Sequence, residues 1–147
     1  MNFARLVTSA VLLMASLTAP SAEPVAPLIK PVSDPLVLDS PYWYVRTPAD
    51  ESKVFFLFDD HYAALMNIDG SDVLLNLTGK HGSAGKVGDV IALEFEADKI
   101  RVQARFKVSW LCPKSDDDCS VTSYDVTIKV TKGSRSESID AVGSSGT

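Results

Sequence analysis

The segment "KIRVQARFKVSWL", residues 99 to 111, limits what this chain can fold into more than any other stretch. Ile100, Val102, Ala104, Phe106, Val108 and Trp110 alternate with Arg101, Gln103, Arg105, Lys107 and Ser109. A strand sends successive side chains to opposite faces, so this pattern makes one apolar and one polar face. A helix, with its period of roughly 3.6, would mix them. "SYDVTIKVT" repeats the alternation, with Tyr124, Val126, Ile128 and Val130 on one side and Asp125, Thr127, Lys129 and Thr131 on the other. "DVIALEFEA" continues it, with Ile91, Leu93 and Phe95 inward and Glu94 and Glu96 outward.

Turn chemistry joins these runs into hairpins. Asp69-Gly70 separates "YAALMNI" from "SDVLLNLT", and Asp-Gly is a strong two-residue hairpin signal. It predicts Ile68 opposite Ser71, Met66 opposite Val73, Ala64 opposite Leu75 and Tyr62 opposite Leu77, which puts the apolar sets on one face. A turn at Asp98-Lys99 predicts Phe95 opposite Val102, Leu93 opposite Ala104 and a charge pair between Glu96 and Arg101. Further turns fall at Asp59 to His61 and at Lys132 to Arg135. Strands are predicted near 53–58, 62–68, 72–78, 89–97, 99–111, 121–131 and 135–142, with "YWYVR", Tyr42 to Arg46, as an eighth. The expected fold is all-β: a single-domain antiparallel meander of seven to eight strands, closed as a small barrel or folded as a sandwich.

The flanks differ in kind. Residues 1–22 carry Arg5, an apolar run from Leu6 to Leu17 and the small residues Ala19, Ser21 and Ala22, the layout of a secretory signal peptide. Residues 23–41 hold Pro24, Pro27, Pro31, Pro35 and Pro41 and read as an extended proline-rich leader, a tether or a segment draped through Leu28, Ile29, Leu36 and Val37. The β domain is assigned to 42–142 and a flexible tail to 143–147. Without Arg5 the chain has 13 basic against 19 acidic side chains, a formal −6. That balance opposes nucleic acid and anionic lipid and favours cationic partners.

Cys112 and Cys119 are the two cysteines. In an exported chain such a pair is expected to form a disulfide. If Phe106 faces Val126 and Val108 faces Tyr124, the two cysteines stand nearly opposite, offset by one, and a bulge would bring them together. A loop this short gives roughly 2–3 kcal/mol of chain-entropy stabilisation. The spacing suits neither a zinc knuckle nor a Cys-x-x-Cys redox pair. Asp116, Asp117 and Asp118 between them are adjacent rather than alternating, so they make a poor calcium loop and a better acidic knob. No metal and no cofactor is expected.

Three other features are weighed for chemistry. Asp59, Asp60 and His61, with His81, form a candidate acid–base cluster, although adjacent aspartates are also ordinary turn formers. Tyr42, Trp43 and Tyr44 form an aromatic run that either stacks on sugar or partner, or packs inward on alternate residues. The glycine-rich stretch 79–88 fits neither a phosphate loop nor a nucleophile elbow, and "NLT" at Asn76 matches a glycosylation acceptor.

In format, the chain is similar to the small exported β-barrel inhibitors of lysozyme: signal peptide, a β domain of about a hundred residues, one disulfide. No motif matches residue by residue, so no site is carried over. The expected function is a periplasmic or secreted non-catalytic binding module of the bacterial cell envelope. Its contacts would be Asp116, Asp117 and Asp118, the 79–88 loop, and Tyr42, Trp43 and Tyr44, and its partner a cationic protein or an envelope component. The alternatives are a small periplasmic hydrolase using the Asp/His cluster and a structural envelope protein with the leader as spacer.

Overall fold

The computed structural model describes residues 25–115 and 118–146; the expected signal peptide, Asp116, Asp117 and Thr147 lie outside them. The elements are β1 (Ile29–Lys30), a single 3₁₀ turn (Pro35–Val37), β2 (Trp43–Thr47), β3 (Asp50–Phe58), β4 (Ala63–Ile68), β5 (Ser71–Gly82), β6 (Val90–Ala97), β7 (Ile100–Leu111), β8 (Thr122–Lys132) and β9 (Arg135–Ser145). Strands β2 to β9 pair antiparallel in chain order, and β9 returns to β2 to close an eight-stranded barrel. Of the two architectures the alternation allowed, the barrel is the one formed.

The hairpin registers follow from the turns. Asp69 (φ 59°) and Gly70 (φ 90°) both adopt the left-handed conformation that a tight hairpin needs, and Ile68, Met66 and Ala64 face Ser71, Val73 and Leu75 as predicted. Tyr62 does not reach Leu77: at φ 61° it belongs to the β3–β4 turn. Phe95 and Leu93 face Val102 and Ala104, and Glu96 Oε1 accepts from Arg101 Nε at 3.0 Å on the wet face.

An eight-stranded barrel has an interior that side chains can fill. Here Phe56, Phe58, Phe95, Phe106, Met66, Leu93 and Ile128 fill it and are fully buried. Room at the β9–β2 seam comes from Gly143: a Cβ there would lie 2.9 Å from Val126 Cγ2 and 3.6 Å from the Phe106 ring. Gly143, Ser144 and Ser145, expected as tail, are the residues that pair with Val45, Tyr44 and Trp43. The stretch 79–88 is likewise shorter as a loop than expected, because Gly79 to Gly82 pair with β6.

The proline-rich leader is part of the wall from Leu28 onward, not a free tether. β3 and β4 share only three facing pairs, Phe56–Met66, Leu57–Leu65 and Phe58–Ala64. The lower part of β4 therefore keeps an open edge, an unfavourable state for backbone donors and acceptors. β1 fills it, pairing Ile29 with Ile68 and Lys30 with Asn67, while Asp69 N donates to Leu28 O (2.7 Å) and Val32 N to Val54 O (2.8 Å). Leu28 and Ile29 join the main core. Farther along, Leu38 covers Leu57 and Leu65, which point outward because Phe56 and Phe58 point inward. Of the four residues expected to drape, Leu36 and Val37 are instead exposed.

Side chains fasten this strap. Glu137 accepts from the backbone of Leu28 and Ile29, and Arg135 donates to Ala26 O and to Asp69. Asp72 accepts from Ser33 N, Asp34 N and Asn67 Nδ2 (2.7–3.0 Å). Burial alone would raise the Asp72 carboxyl, but the Ser33 and Asp34 donors and the Asn67 amide outweigh it and hold it below its ordinary value of 3.8. A carboxyl depressed in the folded state adds stability above its unfolded value, and loses it as pH falls through the folded one. Unfolding midpoints are therefore expected to drop as pH falls below 3.8. Asp72→Asn should lower the midpoint at neutral pH and flatten that acid limb, as read by urea titrations across pH. An unchanged acid limb would show that Asp72 does not hold the strap.

Candidate functional site

One end of the barrel, the upper rim, gathers Tyr42, Trp43, Asp59, Asp60, His61, Cys112, Asp118 and Cys119. The chain passes through it at the β3–β4 turn (59–62), the β5–β6 loop (83–89), the β7–β8 loop (112–121), the start of β2 and the end of β9. The tight turns at 48–49, 69–70, 98–99 and 133–134 lie at the other end. The side with longer connections is the side with room for recognition.

Cys112 and Cys119 are disulfide-bonded, with Cα atoms 5.6 Å apart. The bulge that this needs sits at Ser109, where the β7–β8 register shifts between Val108 and Trp110. Beyond it Trp110 faces Ser123 and Leu111 faces Thr122, and Val121 N donates to Cys112 Sγ at 3.3 Å. Asp118 is exposed on the turn before Cys119, and Asp116 and Asp117 lie outside the described residues.

The same bulge corrects the reading of Trp110. Strict alternation put it inward with Val108; the extra residue turns it outward, 45% exposed. The one-residue offset between the cysteines was the sequence signal that a bulge would intervene.

The aromatic run splits by strand parity. Trp43 points into the barrel, stacked on Phe58 (4.9 Å) and Tyr124 (4.7 Å) and edge-on to Phe106 (5.3 Å). It caps the core at this end. Beneath it the Tyr124 hydroxyl shares a hydrogen bond with Ser145 Oγ (3.1 Å), and burial raises its pKa. Tyr42 is exposed at the rim, and Tyr44 lies on the outer wall with the Arg46 guanidinium 5.4 Å from its ring centroid.

Asp59, Asp60 and His61 form a tight turn. Asp59 Oδ1 accepts from His61 N (2.9 Å) and Ala63 N (2.8 Å), so it serves the backbone. Asp60 Oδ1 lies 2.7 Å from His61 Nδ1, with side chains 75% and 87% exposed. One ligand atom from each of the three falls within 4.8 Å of the others. Asp60 and His61 are exposed and Asp59 is half-buried. His81 is exposed on β5 opposite Ala92.

Below the rim, on the outer wall of β2, β9 and β8, lies a shallow cleft of ≈280 Å³ lined by Tyr44, Arg46, Glu51, Ser109, Ser123 and Ser144, among others. Sequence reasoning missed it because strands far apart in the chain build it, and only barrel closure brings Ser144 beside Tyr44.

Comparison with known proteins finds no matching family model, no matching curated protein and no matching solved structure. Among the described residues, no helix is long and apolar enough to cross a membrane.

Proposed function

We propose that this protein is an exported, non-catalytic binding module of the bacterial cell envelope that engages a cationic protein through its upper rim. The observation that carries this reading is topological. The disulfide-closed loop bearing Asp116 to Asp118 and the turn bearing Asp59 and Asp60 emerge at the same end of a rigid barrel. Acidic side chains gathered at one end create a field that attracts a basic surface and speeds encounter. The filled interior supports surface recognition over an enclosed ligand.

The test is a calorimetric titration of the secreted form with lysozyme as the cationic probe, at several salt concentrations. Binding is expected to weaken as salt rises, and to fall by roughly tenfold or more when Asp116, Asp117 and Asp118 are replaced by serine. Equal affinity for the triple variant would remove the acidic loop from the interface.

A further inference from the structure

We infer that the outer wall below the upper rim is a glycan-binding site. Trp110, Ser123, Ser144 and Tyr44 stand in one register row across β7, β8, β9 and β2. At ~4.8 Å per strand the row spans roughly 14 Å. One end is the exposed Trp110 ring; at the other, Tyr44 packs on the Leu38, Leu57 and Leu65 cluster with Arg46 over its ring; the floor between them is two hydroxyls. Val108, Tyr124 and Val45 take the inward positions of these strands, so the row itself faces out.

The remaining lining completes the chemistry a pyranose ring asks for: an apolar face that can lie on the Trp110 ring, and an equator of hydroxyls that both donate and accept. Arg46, laid over Tyr44, is a planar donor, Glu51 is an acceptor, and no ion pair joins the two. Ser109, Ser123 and Ser144 do both. One cation and one anion balance, which favours a neutral polyhydroxyl ligand over a charged polymer. An extended peptide is a poorer fit, since β8 and β9 are each paired along both edges and offer no free backbone ladder to augment.

This site stands apart from the rim reading, and a failed lysozyme titration would leave it untouched. The probes are chitotetraose, cellotetraose and a tetra-uronate, each titrated into the ¹⁵N-labelled protein and followed by amide shifts. A neutral tetrasaccharide is expected to shift Ser109, Ser123, Ser144 and Tyr44. Trp110→Ala and Arg46→Ala, both exposed enough to leave a dispersed spectrum, should each weaken it by roughly tenfold. Lys99→Ala, at the opposite end, should not. Absence of shifts up to roughly 10 mM for all three probes would overturn the site. So would shifts confined to another face, stronger binding of the uronate, or affinity unchanged in both variants.

Discussion

A chain that begins at Tyr42, without the strap, is expected to lose several kcal/mol of folding stability and to self-associate. Truncation removes Leu28, Ile29 and Leu38 from buried positions and uncovers Leu57 and Leu65, which are fully buried beneath the strap side of the wall. Each such side chain contributes about 1.5–3 kcal/mol on burial. The freed segment recovers backbone entropy of similar size, so the lost β1 ladder and the Glu137, Asp72 and Arg135 hydrogen bonds tip the balance. A net loss of a few kcal/mol is a large share of the ~5–15 kcal/mol available to a domain. The lower part of β4 would also regain an open edge next to exposed leucines, a template for intermolecular pairing. Urea titration followed by tryptophan fluorescence, with light scattering, reads both effects. A truncated chain that unfolds at the same urea concentration and stays monomeric would return the leader to the status of a spacer.

Phe58→Ala is expected to cost about 3–5 kcal/mol, at the upper end for a single core truncation. Phe58 is fully buried and touches five aromatic rings: Trp43 at 4.9 Å, Phe56 at 5.5 Å, Tyr62 at 5.7 Å, Phe106 at 5.8 Å and Phe95 at 5.9 Å. Those rings come from β2, β3, β6, β7 and the β3–β4 turn, so no single strand can shift to close the cavity. The layer also seats Trp43, whose emission should move to the red in the variant. Leu74→Ala, on an outer-wall side chain that is 54% exposed, is the control and should stay within roughly ±0.5 kcal/mol. A cost for Phe58→Ala no larger than that of Leu74→Ala would mean that the aromatic layer is not what holds this end together.

The two predictions bear on opposite sides of what could be read in advance. Phe58 belongs to a run, "FFLF", in which four consecutive apolar residues give no alternation. The reason is that both faces of β3 are covered: Phe56 and Phe58 meet the interior, and Leu57 meets Leu38 of the strap. A break in the period was thus the mark of a second layer. The strap stayed open between tether and drape because proline density is compatible with both. Pro31 and Pro35 do keep this segment out of long ladders, but two residues of β1 and the side chains of Glu137, Asp72 and Arg135 suffice to hold it.

Among the candidate site residues, parity within β2 already implied that Trp43 and Tyr44 would part company. It did not say which of them would face water. The offset between Cys112 and Cys119 implied a bulge without locating it, and Trp110 was assigned to the wrong face in consequence.

Most strands, the registers beside the two-residue turns at 69–70 and 98–99, and the disulfide were determined by the sequence alone. Each depends on neighbours a few residues away: side-chain parity, two-residue turns and a short covalent loop. Barrel closure was decided only in three dimensions. It depends on Gly143 leaving room for the Val126 side chain and on β9 reaching β2 roughly a hundred residues away in the chain, a contact no local pattern encodes. The same closure decided which loops share a rim and which outward side chains share a wall. The acidic loop could be found by reading; the cleft between Tyr44 and Ser123 could not, because it does not exist until the ends of the sheet meet.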